Sequence, residues 1–212
     1  MSIDLFNKYE LKANFKINSS LLGFPGKFEC NDKSVSRNKV AIKDIRQVCL
    51  GHEISVHTLT HPNLTQLDEE TIVYQVEEDR KRLFELAGYE VIGMAYPFGR
   101  VNNDDRVAKI IKTQTGVKYA RTISSTNNFE PQSNLLRFNP SVHYIAPNFE
   151  ELVDAFLNLQ ADTPQLLYIG GHSYEMDGCL IAWNRFEKIC QKLSGKWMFF
   201  MVRIGRCYYK LR

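Results

Sequence analysis

Short β-rich runs alternate with helical segments along most of the chain, which limits the possible folds more than any other feature of the sequence. Repeated strand-then-helix units predict a parallel sheet, either a barrel or a doubly wound layer. The clearest helix is residues 69–87, with Asp68 as N-cap and Gly88 as its stop. The other predicted helices are 2–9, 39–50, 103–116, 148–159 and 182–194, and residues 19–37 are predicted to be a loop. The predicted strands are 11–18, 52–58, 91–97, 117–123, 135–143, 165–172 and 196–202.

The length and composition are those of one globular domain, which we assign to residues 1–212. Hydrophobic residues at 44% and charged residues at 24% argue against disorder. The formal charge is +3 and the basic residues are scattered, so we predict no nucleic-acid partner.

The cysteines and the lengths of the apolar runs indicate the cellular compartment of the chain. Five cysteines without a CxxC spacing favour reduced thiols, and hence a cytoplasmic chain. No apolar run reaches about 18 residues and no leader opens the sequence, so we predict neither a membrane span nor secretion.

Five polar or aromatic side chains fall at or just past the C-terminal ends of predicted strands: His57, Tyr96, Arg121, His143 and His172. In (β/α) barrels, the C-terminal ends of the strands form one rim of the barrel, and the active site is built there. No GxGxxG motif and no Walker loop supports a nucleotide-binding alternative. We therefore predict a (β/α) barrel of about seven parallel strands.

The segment "HTLTH" places His57 and His61 four residues apart after a predicted strand. Two imidazoles at this spacing lie on one face if the backbone turns helically, and imidazole is a ligand for zinc and similar ions. A pair of structural histidines is the alternative. Glu53 lies on the same strand face but roughly 13 Å lower, so we exclude it as a ligand.

Two further segments carry candidate chemistry. "MAYPFGR" puts a rigid turn after a strand, and backbone N–H groups in such a turn can stabilise an oxyanion; an ordinary Pro-Gly turn is the alternative. "LYIGGHSYE" supplies His172 after two glycines that permit close approach of another group, and a histidine there can act as general acid or base. A histidine that caps a helix or packs in the core is an equally good interpretation of this segment.

Taken together and in this order, the segments "LFNKYELKANFKINSSLLG", "GHEISVHTLTHPNL", "MAYPFG" and "GGHSYE" resemble the polysaccharide deacetylase family of the NodB type, from residue 2 to about residue 195. The resemblance implies a distorted (β/α) barrel, a divalent metal that is commonly zinc, and hydrolysis of an N- or O-acetyl group on a carbohydrate. It also implies that His57 and His61 bind the metal, that the backbone N–H of Phe98 helps to hold the oxyanion, and that His172 protonates the leaving group. The candidate substrate-binding residues are Tyr96, Pro97, Arg121 and His143.

The family's first motif, Thr-Phe-Asp-Asp-Gly, is absent from this sequence. In the family it supplies the base and the third metal ligand, so we expect at best weak deacetylation. We also expect the barrel to be incomplete at its N-terminal strand, and the exposed strand edges to favour a homodimer. Ala95 and Tyr96 replace the arginine that often precedes the family's Pro-Tyr-Gly turn, and Arg121 is a candidate to stand in for it. The apolar, basic C-terminal tail also differs from the family's usual last strand.

Two other functions remain open. One is a non-catalytic carbohydrate-binding barrel, with Tyr96, Phe98 and Tyr174 as stacking surfaces. The other is a metal-dependent hydrolase that acts on an amide outside sugars.

Overall fold

The computed structural model of the protein describes residues 2–30, 33–99, 101–177 and 180–195. Its strands are β1 (Asn14–Ile17), β2 (Lys27–Cys30), β3 (Lys33–Ser36), β4 (Glu53–Val56), β5 (Gly93–Ala95), β6 (Tyr119–Arg121), β7 (Val142–His143) and β8 (Ile169–Gly170). Its helices are α1 (Ser2–Lys8), α2 (Ile45–Val48), α3 (Glu69–Ala87), α4 (Asp105–Gln114), α5 (Phe149–Leu157), α6 (Ser173–Asp177) and α7 (Leu180–Leu193). Short 3₁₀ turns cover Ser19–Leu21, Ile42–Asp44, Leu64–Gln66 and Leu135–Arg137.

The strands confirm the predicted parallel α/β fold. One parallel sheet has the order β1-β4-β5-β6, and β7 pairs with β8 as a second parallel pair. A parallel bridge from Arg121 to Phe138 continues the first sheet toward the second pair. Over the described residues the strands do not close, as expected for a distorted and incomplete (β/α) barrel. β1 is the outer strand of its sheet, and self-association through that edge stays a prediction.

Helix α3 begins and ends as the sequence predicts, because both caps form. The Asp68 carboxylate accepts the Thr71 N–H at 2.8 Å, and Gly88 adopts a φ of 76°. Its inward face carries apolar side chains and one buried carboxylate, Asp79, which accepts the Ser19 N–H at 2.7 Å and the His57 N–H at 3.0 Å. The helix therefore ties the end of β1 to the end of β4.

Two apolar clusters form the core of the protein. The first packs α3 and α4 against β4, β5 and β6, and the second packs α5 and α7 around β7. Glu53, on β4, is buried, and its carboxylate accepts a hydrogen bond from the Tyr119 hydroxyl.

Several predicted elements differ from the observed ones. Residues 19–37 contain the antiparallel hairpin β2–β3 instead of being loop throughout, because four-residue strands are too short to show a clear sequence period. The helix predicted over 39–50 begins only after Ala41, whose backbone is extended, and its α-helical part is Ile45–Val48. The strand predicted over 135–143 is a 3₁₀ turn followed by β7. The strand predicted over 196–202 lies outside the described residues.

No membrane-spanning candidate is found in the part of the chain that the structure describes, where every helix is too short or too polar to traverse a bilayer.

Candidate active site

The strand ends bring most of the candidate residues to one side of the barrel. His57 directly follows β4, Arg121 ends β6, and His143 ends β7. His57, His61, Arg121 and His172 line one cavity of about 1090 Å³. Three of the five rim positions inferred from the sequence, those of His57, Arg121 and His172, therefore lie at one cavity.

His57 is held in one tautomer by the backbone of the neighbouring strand. Its Nδ1 lies 2.8 Å from the carbonyl oxygen of Ala95, which can only accept, so Nδ1 carries the proton and Nε2 keeps its lone pair. A backbone carbonyl often orients metal-binding histidines in this way. Burial lowers the pKa of His57 to about 3, so its imidazole is neutral at neutral pH. Neutral imidazole is the form that binds metals.

His61 is brought beside His57 by a strained turn. The two ring centroids are 4.9 Å apart. Thr58 and His61 both have positive φ angles, 66° and 64°, in a region that costs non-glycine residues free energy. The Asn18 side chain donates to the carbonyl oxygens of His57 and Thr58, at 2.5 Å and 2.9 Å, and so holds this turn in place. Strain of this kind is concentrated at functional sites.

A second strained turn places Phe98 next to the pair. Phe98 has a φ of 69°, and its ring centroid is 5.2 Å from that of His61. The fully buried Asn102 side chain donates to the Phe98 carbonyl oxygen at 2.7 Å. The Phe98 N–H has no hydrogen-bond partner among the described residues, and it is therefore available as a donor.

His172 belongs to a polar network on the opposite side of the cavity. Its ring Nδ1 lies 3.1 Å from Oε1 of Glu175, and its backbone N–H donates to Oε2 of the same carboxylate at 3.2 Å. His143 Nε2 lies 3.7 Å from the same Oε2, and the Tyr144 hydroxyl donates to it at 2.7 Å. Although burial raises the pKa of Glu175, the hydrogen bonds from His172 and Tyr144 outweigh it and lower the pKa to about 2.

Glu175 was missed by the sequence reasoning. The sequence feature that could have revealed it is its position three residues after His172, at the start of a helix, because this spacing brings two side chains together. His143, His172 and Glu175 offer ligand atoms that all lie within 4.8 Å of one another, so this cluster has the residue types of a metal site. It is the one such cluster of three or more found in the described residues. The His57–His61 pair therefore has no third histidine, cysteine or carboxylate ligand there.

The structure places Tyr96 and Pro97, which the sequence predicts to bind substrate, in the protein interior. Tyr96 is 1% exposed, and its hydroxyl donates to the Leu136 carbonyl oxygen at 2.7 Å, so its ring offers no face to a sugar. Pro97 is also buried. Both pack in the interior because β5 enters the core before the turn reaches the surface at Phe98, which is 51% exposed.

Comparison with known protein families and curated proteins identifies relatives of this chain. The family model for polysaccharide deacetylases matches residues 2–120, more than half of the chain. The chain belongs to the polysaccharide deacetylase family. Among curated members, peptidoglycan-N-acetylglucosamine deacetylase PgdA of Listeria monocytogenes is 27% identical over 100 residues. That match covers 47% of this chain and 18% of the length of PgdA.

Solved structures share the fold over most of this deacetylase family member. A variant of peptidoglycan deacetylase PdaC from Bacillus subtilis gives a TM-score of 0.54 at 15% identity, covering 98% of this chain and 81% of PdaC. The Xyl-CE4 domain of a multidomain xylanase, from the hindgut metagenome of Trinervitermes trinervoides, gives 0.55 at 14% identity, covering 99% and 82%. The family 4 carbohydrate esterase from Streptomyces lividans in complex with acetate gives 0.50 at 13%, covering 88% and 78%. At these identities the likeness establishes the fold alone.

Proposed function

We propose that this chain is a metal-dependent hydrolase of the polysaccharide deacetylase type, which removes N- or O-acetyl groups from a glycan. The observation that carries the proposal is the His57–His61 pair. Its rings are adjacent, and the Ala95 carbonyl leaves Nε2 of His57 free to bind a cation. The donor chemistry fits zinc, for which imidazole is a preferred ligand.

Each residue at the site has a distinct part in this proposal. His57 and His61 would hold the metal, which when bound supplies Lewis-acid polarisation of a carbonyl group. The N–H of Phe98, which has no partner among the described residues, is a donor for the negative charge that develops on the acetyl oxygen. His172 is the proton donor to the leaving amine or alcohol, and Glu175 orients its ring through Nδ1.

A second candidate function is carbohydrate binding without turnover. It is favoured by one observation: no carboxylate in the described residues joins the histidine pair. Loss of a ligand and a base together removes several kcal/mol of transition-state stabilisation, at about 1.36 kcal/mol per tenfold in rate. We therefore expect slow acetate release from acetylated sugars.

The test is a calorimetric titration of zinc into metal-free protein, with two histidine variants. We expect one-to-one binding that is lost in His61→Ala and retained in His143→Ala, because the second variant alters only the neighbouring histidine cluster. Loss of zinc binding in His143→Ala alone would place the metal at the cluster of His143, His172 and Glu175 and contradict the proposal. An absence of histidine-dependent binding would favour the carbohydrate-binding function instead.

A further inference from the structure

One face of helix α3 lies against residues 57–61, the histidine loop, which carries the proposed metal ligands. Gln75 and Asp79 are four residues apart on this helix, so their side chains lie on the same face, one turn apart. Asp79 is fully buried, and Gln75 is partly exposed. Both residues accept hydrogen bonds from backbone N–H groups of the histidine loop.

Three backbone N–H groups of the histidine loop donate to this face. The His57 N–H donates to Oδ2 of Asp79 at 3.0 Å. The Leu59 N–H donates to the backbone carbonyl oxygen of Gln75 at 2.9 Å. The Thr60 N–H donates to Oε1 of Gln75 at 3.0 Å, and the Thr60 hydroxyl donates to the same atom at 3.2 Å. Two residues of α3 therefore hold the backbone of the loop at three of its five positions.

The two oxygens of the Asp79 carboxylate have different partners. Oδ2 shares the His57 N–H with the carbonyl oxygen of Ile17, which lies 3.1 Å from the same nitrogen. Oδ1 accepts the Ser19 N–H at 2.7 Å. An amide side chain of the same shape has one accepting oxygen and one donating nitrogen. Asparagine at this position could therefore satisfy only one of the two N–H groups.

The histidine loop has a conformation that such a segment rarely adopts without support. Thr58 and His61 have φ angles of 66° and 64°, in the left-handed region that non-glycine residues seldom occupy. This conformation brings the ring of His61 beside that of His57, with the centroids 4.9 Å apart. Without the contacts to α3, the loop would occupy this conformation for a smaller fraction of the time. Metal affinity would fall in proportion to that fraction, because the metal needs both rings together.

We propose that Gln75 and Asp79 are positioning residues for the metal bound by His57 and His61. Neither is a proposed ligand, and both act through the backbone of the histidine loop. The inference rests on the proposed function, since it concerns the same metal site. It predicts that the zinc affinity of the histidine pair depends on two side chains of helix α3.

The test is a calorimetric titration of zinc into the metal-free forms of variants of α3. Gln75→Leu removes the acceptor of the Thr60 N–H at a partly exposed position, and Asp79→Asn removes one of the two acceptors at the buried position. We expect zinc to bind about tenfold more weakly to each, the lower end of the usual loss when a group that orients a metal ligand is removed. Gln75→Glu keeps an accepting oxygen and should bind zinc no more weakly than the wild type.

A further variant separates positioning from stability. Leu83 is fully buried on α3, one turn beyond Asp79, and its side chain can form no hydrogen bond with the histidine loop. Leu83→Ala should therefore lower the free energy of unfolding and leave the zinc affinity unchanged.

The possible results are distinct. Zinc affinities of Gln75→Leu and Asp79→Asn equal to that of the wild type would overturn the inference, and so would an equal loss in Leu83→Ala. If Asp79→Asn does not fold, the comparison of Gln75→Leu with Gln75→Glu decides alone. An absence of zinc binding by the wild type would overturn the proposed function and this inference with it, whereas unchanged binding in the variants of α3 would overturn this inference alone.

Discussion

Replacement of Glu175 by glutamine tests the network that orients the proposed proton donor. In the folded protein this carboxylate accepts the Tyr144 hydroxyl at 2.7 Å and the His172 N–H at 3.2 Å, and its other oxygen lies 3.1 Å from His172 Nδ1. The side chain is only 22% exposed. Glutamine keeps the shape but loses the charge and half of the accepting capacity.

The size of the effect follows from the pKa. Burial opposes ionisation of Glu175, but the hydrogen bonds from His172 and Tyr144 outweigh it and lower the pKa from 4.5 to about 2. At about 1.36 kcal/mol for each pKa unit, ionisation of this group stabilises the fold by at most about 3 kcal/mol. Because the pKa in the folded state is depressed, this contribution is fully present above about pH 5 and is lost as the pH falls toward 2.

We expect Glu175→Gln to lower the free energy of unfolding by about 2 kcal/mol at pH 7 and by less than half of that at pH 3. Urea unfolding followed by tryptophan fluorescence at several pH values measures both quantities. Glu130→Gln, at an exposed position, is the matched control and should show no such dependence. A difference between variant and wild type that stays constant from pH 7 to pH 3 would refute the reasoning.

Two further variants test the packing behind the site. Leu83→Ala, at a fully buried position of α3, should lower the free energy of unfolding by about 3 kcal/mol. Phe84→Ala, at the next position, which is half exposed, should lower it by less than about 1 kcal/mol. Similar losses in both variants would show that α3 packs differently. Gly171→Ala should cost about 2 kcal/mol or more and disturb the Glu175 network, because an added Cβ would overlap the Tyr144 ring. Gly99→Ala, where an added Cβ meets no heavy atom within 4 Å, is its control, and equal melting temperatures for the two variants would count against this contact.

Much of the fold was predictable because it depends on local signals. Helix α3 shows this most clearly, since Asp68, Gly88 and an apolar stripe specify its two ends and its buried face without reference to the rest of the chain. The strand ends were also predictable, and in a parallel α/β fold they must lie on one side. His57, Arg121, His143 and His172 could therefore be grouped before any coordinates were known.

Only the tertiary structure decided which of those side chains reach the cavity. Tyr96 occupies a rim position in the sequence, yet its ring turns into the core and bonds to Leu136, a contact 40 residues away. Glu175 gave a weak local signal, and its role depends on Tyr144 and His143, which another strand brings near.

The buried Lys16 Nζ and Arg37 Nε, which have no hydrogen-bond partner among the described residues, likewise arise only in the folded chain. In the sequence these are two of 27 basic residues, and nothing local distinguishes them. Burial and the lack of a partner arise when strands far apart in sequence enclose the cavity. The sequence by itself determined the elements and the residues available for chemistry, whereas long-range packing decided their exposure, their partners and their charge environment.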